Sequence, residues 1–260
     1  GIWQANFRDM LTDLEANKLA TEFIANKIRE RVKDPVVAEK LIPKDHGFGT
    51  RRVPLESGYF EAYNQDNVKL VDLQETPIER ITPKGVQTSD AEYEFDILIY
   101  ATGFDAVLGS FEKIDIQGRG GVTLKQKWAE GPRTFLGLMT EGFPNMITIV
   151  GPHNAAARCN IPRCIEQNVD WASDLIGHMR AHGLKQVEPT LAAETEWTEA
   201  IEDLAKNMLY KDVDSWMTGI NSNVEGRNIR RVLQYQGGAP AYRARCDEVA
   251  AAGYAGFDLD

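Results

Sequence analysis

The stretch Phe95-Asp-Ile-Leu-Ile-Tyr-Ala-Thr-Gly-Phe-Asp-Ala106 decides the fold class of this chain. Residues 97–100 form an apolar run of β-branched, aliphatic and aromatic side chains, which predicts a strand buried on both faces of a parallel sheet. Thr102 and Gly103 end this strand, and a glycine lets the backbone turn sharply or approach a bound molecule closely. The stretch therefore indicates an α/β protein, in which the turn is either a cofactor contact or an ordinary strand end.

Composition and charge narrow the class of protein. The chain has 260 residues, of which 43% are hydrophobic, and this is enough for the packed core of one or two globular domains. Its 39 acidic and 29 basic side chains give a net charge of -10, which repels polyanions, so no nucleic acid partner is expected. No apolar run approaches the roughly 20 residues that span a bilayer, so no membrane partner is expected either.

The cysteines and histidines argue against a disulfide framework and against a metal site. Cys159, Cys164 and Cys246 form no Cys-x-x-Cys pair and are unevenly spaced, which favours a reducing, cytoplasmic location. His178 and His182 lie four residues apart in a predicted helix, but the glutamate of a zinc-protease motif is absent between them. We therefore expect surface histidines and no bound metal.

Periodicity predicts helices near both ends of the chain and short strands between them. Apolar residues at three-to-five-residue spacing predict an amphipathic helical region over residues 9–38, broken by Pro35 and then by Pro43. An acidic helix is predicted over 194–208. Partial alternation and turn residues predict strands at 67–72 and 78–81, and a turn at 85–88 that leads into a third strand.

Residues 146–150 predict a second buried strand, which a glycine turn and a long helix follow. Asn160 is the predicted N-cap of this helix, Pro162 lies in its first turn, and Gly183 ends it. Unpaired N–H groups and the helix dipole converge at such a helix start, which suits an anion or an electron-rich ring oxygen. The alternative is a plain strand-loop-helix connection.

Neither dinucleotide-binding fingerprint, G-x-G-x-x-G, occurs in the chain. Gly118, Gly120 and Gly121 have the wrong spacing and no helical pattern after them, so they indicate a hairpin turn. Gly47-Phe-Gly49 fails in the same way, because Arg52 stands where the third glycine is needed. The strand pattern of a cofactor domain is thus present without its phosphate loops.

Six short motifs occur in a characteristic order. They are Gly49-Thr-Arg-Arg52, the stretch from Asp96 to Ala106 with its Ala-Thr-Gly turn, Gly131-Pro-Arg-Thr-Phe-Leu-Gly137, Gly142-Phe-Pro-Asn145, Gly151-Pro152 and Ser215-Trp216. The ordered set resembles the class of Baeyer-Villiger monooxygenases that includes phenylacetone, cyclohexanone and steroid monooxygenases. The resemblance runs over nearly the whole chain.

The resemblance implies a flavoprotein with two Rossmann-like dinucleotide-binding domains, of which this chain is the C-terminal part. Residues 1–104 would be the helical insertion and closing strands of the NADP-binding domain, and residues 105–260 the C-terminal portion of the FAD-binding domain. The first residues, Gly-Ile-Trp-Gln, lack an initiator Met and a signal segment, so we expect a fragment of a longer protein. Both GxGxxG units would then belong to a missing N-terminal half.

The resemblance also implies the activity. NADPH would reduce FAD, molecular oxygen would add to give a flavin C4a-peroxide, and the peroxide would convert a ketone into an ester or lactone. The partners implied are the ketone, oxygen and the missing N-terminal half, without which the isolated chain is expected to be inactive. Two alternatives stay open: a related flavin monooxygenase that oxidises sulfur or nitrogen, and an inactive fragment that needs a partner half.

An arginine pair carries the catalytic expectation. By the resemblance, Arg52 is the fixed cation that stabilises the negative charge of the reaction, a role that suits a guanidinium because it does not titrate. Arg51 would bind the NADP phosphate, to which an arginine fork can pair bidentately. Taken alone, the two residues would be a solvated basic turn.

The remaining site residues are also implied by the resemblance. Trp216 matches a tryptophan that packs against the nicotinamide and the substrate, where its indole N–H can donate. Asn160 and Ile161 lie at the start of the helix that faces the flavin, and Thr102 with Gly103 marks the crossing between the two domains. The expected substrate loop contains Ala156, Ala157 and Arg158, and its arginine departs from the apolar residues of the family.

Overall fold

The computed structural model describes residues 7–260, apart from the side chains of Ala157 and Arg158. The expectation drawn from the first four residues therefore lies outside the described part. The chain divides into two compact units, one formed by Asp13–Phe104 and the other by Asp105–Asp260 with the described residues up to Thr12. The fold is mixed α/β, and the described residues contain one three-stranded and one two-stranded sheet. Phe104, the last residue of the first unit, directly follows the Ala-Thr-Gly turn.

The unit Asp13–Phe104 begins with helices whose ends are set by local sequence. The Oδ1 atom of Asp13 accepts from the N–H of Ala16 at 2.8 Å and caps the first helix. Asp34 caps the second helix, and Pro35 opens it, so the predicted break at this proline is confirmed. The helices are α1 (Leu14–Arg31), α2 (Pro35–Leu41) and the single turn α3 (Tyr59–Ala62).

Only one side of α1 is buried. Ile28 and Val32 are buried as the periodicity predicts, and they pack with α2. Leu19 and Phe23, in contrast, are 73% and 60% exposed. The apolar face of α1 is therefore wider than the face that the rest of this unit buries. The sequence pattern was wrong in placing Leu19 and Phe23 on the buried face.

The sheet of this unit is a small antiparallel meander. It consists of β1 (Ile78–Thr82), β2 (Gly85–Thr88) and β3 (Glu92–Glu94), in that order across the sheet. The strand predicted at 78–81 is confirmed, whereas the turn predicted at 85–88 is itself the central strand. No strand forms at 67–72, because no described segment pairs with those residues.

Residues 97–100 do not form the buried strand that the sequence predicts. These residues follow β3 without forming a strand, and Ile97 and Ile99 are 78% and 81% exposed. A central parallel strand needs hydrogen-bonded neighbours on both sides, and the described residues provide none. The glycine turn itself is confirmed, since Gly103 adopts φ +81°, a conformation that other residues reach only at a cost.

Three long helices build the second unit. They are α6 (Ile161–His182), α7 (Leu191–Ala205) and α8 (Ala239–Ala251), accompanied by the single turns α4 (Gly109–Glu112) and α5 (Leu124–Lys127) and by the antiparallel pair β4 (Val187–Pro189) and β5 (Phe257–Leu259). The start of α6 at Asn160 and its end at Gly183, which adopts φ +70°, are confirmed. The predicted acidic helix is α7, and its last turn ends three residues earlier than expected.

The core of the second unit is rich in aromatic side chains. Trp171 and Leu175 of α6 pack with Ile201 of α7 and Val249 of α8 in one buried cluster. Each such side chain contributes about 1.5 to 3 kcal/mol by burial. The outer positions of the predicted α6 stripe are again exposed, and they are Ile165, Val169 and Ile176. The predicted hairpin is confirmed by an antiparallel bridge between Gln117 and Thr123.

The second predicted strand, at 146–150, is also wrong. This segment makes turns, and Val150 has a left-handed backbone with φ +56°. The N–H of Thr148 donates to the carbonyl of Leu138 at 2.7 Å, so the segment is anchored by a neighbouring loop and not by a sheet. As with 97–100, an apolar run predicts a strand only where partner strands are available.

Two further sequence expectations concern cysteines and membranes. The structure pairs the sulfur atoms of Cys159 and Cys164, whose Cα atoms lie 6.9 Å apart, although their spacing argued against a disulfide framework. Cys246 is free and buried. In the described residues no helix has the length and apolar character to cross a membrane, and no group of three or more potential metal ligands occurs.

Candidate cofactor and substrate site

A rigid turn presents Arg51 and Arg52 in the first unit. The carbonyl of Phe48 accepts from Nδ2 of Asn17 at 2.9 Å, and its N–H donates to Oγ1 of Thr21 at 2.9 Å, so α1 holds the turn from one side. Gly47 packs so closely on α1 that an added Cβ would lie 1.9 Å from Oδ1 of Asn17. The turn is thus fixed just before the arginine pair.

The two arginines differ in their surroundings. Nη2 of Arg51 donates to Oδ2 of Asp45 at 2.8 Å, while its Nε is buried without a hydrogen-bond partner. The hydrogen bond from His46 and the charge of Arg51 lower the pKa of Asp45. Arg52 is exposed and makes no hydrogen bond or ion pair with the described residues. One guanidinium is therefore positioned by a carboxylate, and the other is free to meet an anion.

In the second unit, a loop with two left-handed residues precedes α6. Val150 and His153 have φ +56° and +65°, and His153 is 2% exposed. Its Nε2 lies 3.1 Å from the carbonyl of Val232 and its Nδ1 lies 3.2 Å from Oγ1 of Thr134. Because a carbonyl only accepts, Nε2 carries the proton, and burial lowers the pKa of His153 to about 4. The buried imidazole is neutral and serves to fix the loop.

The loop continues into a short 3-10 helix, Ala155–Arg158, and then into α6. Oδ1 of Asn154 caps the short helix by accepting from the N–H of Ala156 at 3.0 Å. Asn160 is exposed and its side chain makes no capping bond, so the first N–H groups of α6 are not satisfied by the N-cap side chain. Ile161 is 54% exposed beside them. This helix start is therefore open to an electron-rich group.

Trp216 begins a second 3-10 turn, Trp216–Thr218, which is held by its own cap. The Oγ of Ser215 accepts from the N–H of Met217 at 3.2 Å, and Oγ1 of Thr218 accepts from the N–H of Ser215 at 3.2 Å. The indole is 40% exposed. These hydrogen bonds hold the turn, and its tryptophan is available for contact.

One segment, residues 231–235, hydrogen-bonds both to the turn at Trp216–Thr218 and to the loop before α6. The N–H of Arg231 donates to the carbonyl of Thr218 at 2.9 Å. Further along the same segment, the carbonyl of Leu233 accepts from the N–H of His153 at 2.9 Å. The turn that contains Trp216 and the loop expected to line the substrate pocket are therefore both hydrogen-bonded to residues 231–235.

Other predicted site residues are not brought into this arrangement. Thr102 and Gly103 are exposed, and an added Cβ at Gly103 would contact nothing within 4 Å. The expectations for the side chains of Ala157 and Arg158 lie outside the described part, whereas Ala156 is buried. The roles of His153 and Asn154 were not predicted from the sequence. The signal that could have indicated them is their position in the glycine turn Gly151-Pro-His-Asn.

Curated relatives match the whole chain. The chain is 49% identical over 259 residues to 2-oxo-Delta(3)-4,5,5-trimethylcyclopentenylacetyl-CoA monooxygenase of Pseudomonas putida, covering 100% of this chain and 48% of the relative. It is 44% identical to acetone monooxygenase (methyl acetate-forming) of Gordonia sp. (strain TY-5), covering 99% and 48%. Phenazine N-monooxygenase PhzNO1 of Lysobacter antibioticus is 43% identical, with 97% and 46% covered. No protein-family model matches the chain.

Solved structures agree with these relatives. The crystal structure of OTEMO in complex with FAD and NADP superposes with a TM-score of 0.90 at 49% identity, covering 98% of this chain and 46% of that chain. Oxidized steroid monooxygenase bound to NADP superposes with a TM-score of 0.90 at 42% identity, covering 99% and 47%.

Over its whole length the chain is homologous to flavin monooxygenases. These relatives include Baeyer-Villiger monooxygenases, as the resemblance predicted. The chain spans about half the length of the curated relatives that it matches.

Proposed function

We propose that this chain is the C-terminal part of an FAD- and NADPH-dependent Baeyer-Villiger monooxygenase that converts a ketone into an ester or lactone. The observation that carries the proposal is the 49% identity to a monooxygenase over the whole chain, including the anchored turn that presents Arg51 and Arg52. FAD reduced by NADPH supplies the activation of molecular oxygen in such a protein. The reaction is proposed to take place in the cytoplasm, where NADPH is available.

The arginine pair fits an anionic cofactor. The Arg51 side chain is 36% exposed and is held in place by Asp45, so the accessible part of its guanidinium can donate to a phosphate oxygen of NADPH. Arg52, which is exposed and makes no ion pair within the described part of the chain, is proposed to hold a permanent positive charge beside the reacting atoms. A guanidinium keeps its charge at any relevant pH, so it stabilises developing negative charge without exchanging a proton.

The second unit is proposed to contact the flavin and the ketone. The start of α6 at Asn160 and Ile161 offers N–H groups and a helix dipole to an electron-rich ring. The loop with Ala156, Ala157 and Arg158 would line the ketone pocket, and Trp216 would cover the nicotinamide. Thr102 and Gly103 would form the crossing between the two cofactor domains.

The domain assignment is part of the proposal. Residues 1–104 would complete an NADP-binding domain and residues 105–260 an FAD-binding domain, both Rossmann-like and both without a GxGxxG unit in this chain. Their partner would be the N-terminal half of the same protein. The exposed apolar run at 97–100 supports this, because it has the composition of a central strand and no strand among residues 7–260 pairs with it.

One relative favours a second candidate function. The chain is 43% identical to a phenazine N-monooxygenase, so oxidation of a nitrogen or sulfur nucleophile is the alternative. Such a nucleophile attacks oxygen directly and develops no anionic carbonyl adduct. The alternative therefore does not require the charge of Arg52.

The test uses the complete protein with FAD, NADPH and a panel of cyclic ketones, aryl ketones, sulfides and amines. The rate of ester or lactone formation and the product formed per NADPH consumed are measured for the parent protein, Arg52→Ala and Arg52→Lys. We expect ketone turnover to fall at least about 100-fold in Arg52→Ala. Arg80→Ala, which removes an exposed arginine of β1, is the control and should leave turnover unchanged.

One outcome would reject the proposed activity, and a second would reject the role of Arg52. A protein that oxidises sulfides or amines but none of the ketones would support the alternative function. Ketone turnover that survives Arg52→Ala would remove Arg52 from its catalytic role. The need for a partner half is tested separately, since residues 1–260 purified alone should contain no bound flavin absorbance.

A further inference from the structure

A buried phenol lies at the centre of a polar network in the second unit. The hydroxyl of Tyr242 donates to the carbonyl of Leu136 at 2.7 Å. The same oxygen accepts from Nδ2 of Asn154 at 2.9 Å and from Nδ2 of Asn168 at 3.2 Å. Its one hydrogen and both of its lone pairs are therefore used, as expected for a polar group that is 2% exposed.

The network hydrogen-bonds to the loop before α6 at three residues, which are Val150, Asn154 and Ala156. Oδ1 of Asn168 accepts from the N–H of Val150 at 3.0 Å and from Nδ2 of Asn154 at 2.7 Å. Oδ1 of Asn154 accepts from the N–H of Ala156 at 3.0 Å. Both ends of residues 150–156 are thus tied to α6 and, through Tyr242, to α8.

The loop needs this support because its backbone is strained. Val150 is β-branched and adopts φ +56°, and His153 adopts φ +65°. Such conformations are strained in residues other than glycine and persist only where surrounding contacts impose them. Burial also raises the pKa of Tyr242 well above its usual value, so the phenol stays protonated and remains both donor and acceptor.

We propose that Tyr242, acting through Asn154 and Asn168, is a positioning residue that fixes residues 150–158 in the shape required for the ketone pocket. The inference rests on the proposed function, in which this loop lines that pocket. Tyr242 does not touch the substrate. It acts at a distance by holding the cap of the short helix Ala155–Arg158 and the left-handed residues before it.

The test replaces Tyr242 by Phe in the complete protein and uses Tyr254→Phe as the matched control. Tyr254 is buried in the same core cluster, and its hydroxyl makes no hydrogen bond with the described residues. Hydrogen exchange is followed for a peptide covering 150–160 and for one covering α7. Steady-state kinetics give KM for the ketone, KM for NADPH and the ester formed per NADPH consumed.

For Tyr242→Phe we expect exchange in 150–160 to increase about tenfold, while exchange in α7 stays unchanged. KM for the ketone should rise about tenfold and ester yield per NADPH should fall, with KM for NADPH unchanged. Tyr254→Phe should change none of these quantities. Increased exchange without any change in ketone KM or ester yield would overturn the inference, and so would unchanged exchange.

A second variant protects the test against misfolding. Asn154→Ser keeps an oxygen that can cap Ala156 but loses the link to Tyr242, so it should reproduce the same kinetic pattern. If it did not, the network would be excluded as the cause. Failure of the proposed function is distinct, because it would appear as absence of ketone oxidation in the parent protein, whereas the exchange measurement needs no activity.

Discussion

The guanidinium of Arg227 binds the carboxylate of Asp105 with its Nε and Nη2 atoms, 3.1 Å from Oδ1 and 3.1 Å from Oδ2. Its Nη1 lies 2.9 Å from Oε1 of Glu112. The side chain of Arg227 is 5% exposed. Asp105 follows Ala101-Thr-Gly-Phe104 and is the residue at which the second unit begins after the first one ends. Arg227, 122 positions later, therefore fixes the start of this stretch.

Removing this buried cation should destabilise the protein strongly. Arg227→Met leaves two carboxylates without their partner, and breaking a buried ion pair on one side costs about 3 to 5 kcal/mol. Arg230→Met is the control, because its partner Asp214 forms an ion pair with both side chains about half exposed. That change should cost no more than about 1 kcal/mol. Urea denaturation measures both, and equal losses would contradict the difference in burial.

A second buried charge ties α7 to the preceding loops. Glu194 is fully buried, and its Oε2 lies 3.1 Å from Nζ of Lys127 while its Oε1 accepts from the N–H of Glu141 at 2.8 Å. Glu194→Gln keeps the shape but removes the charge, so we expect a loss of about 2 to 4 kcal/mol in unfolding free energy. Glu196→Gln, on the exposed side of the same helix, should change stability by less than about 1 kcal/mol. A similar midpoint for both variants would refute the role of Glu194.

Stability should fall on acidification because of His153. Its pKa is lowered to about 4 in the folded state by burial, whereas in the unfolded chain it is about 6.5. Between these values the unfolded state binds more protons, so stability decreases as pH falls from 6.5 to 4. The loss from this group approaches about 3 kcal/mol at pH 4.

The variant His153→Asn isolates this contribution. Asparagine tolerates the left-handed backbone at this position and does not titrate. Thermal unfolding from pH 7 to pH 4 should therefore have a smaller pH dependence in the variant than in the parent protein. Identical slopes would mean that another group controls acid stability.

The helix α6 was predictable from sequence because its signals are local. Pro162 lies in the first turn and Gly183 ends the helix in a left-handed conformation, while Asn160 occupies the N-cap position without a side-chain capping bond. The strand predicted at 97–100 does not form, because an apolar run becomes a strand only through partners that lie elsewhere in sequence. The same apolar side chains are exposed here, since the described residues contain no such partners.

The residues of the candidate site also differ in how far the local sequence indicates them. The arginine pair could be proposed from sequence because its residues are adjacent and form a motif with Gly49. The Asn154–Tyr242 contact was not, because it joins residues 88 positions apart, and nothing in the local sequence of either residue indicates the other. Buried polar networks of this kind depend on tertiary packing, which periodicity does not encode.

Gly47 lies in the turn that presents the arginine pair, where it packs closely against Asn17 of α1. An added Cβ would overlap Oδ1 of Asn17, whose amide is buried and donates to Phe48, so Gly47→Ala should displace the turn and cost about 1 to 3 kcal/mol. If Arg51 binds the NADPH phosphate, KM for NADPH should rise as well. Gly177→Ala is the control, because in α6 an added Cβ meets nothing within 4 Å and should stabilise by about 0.5 to 1 kcal/mol. Urea denaturation and NADPH titration of both variants decide this, and an undisturbed Gly47→Ala protein would show that α1 does not hold the turn.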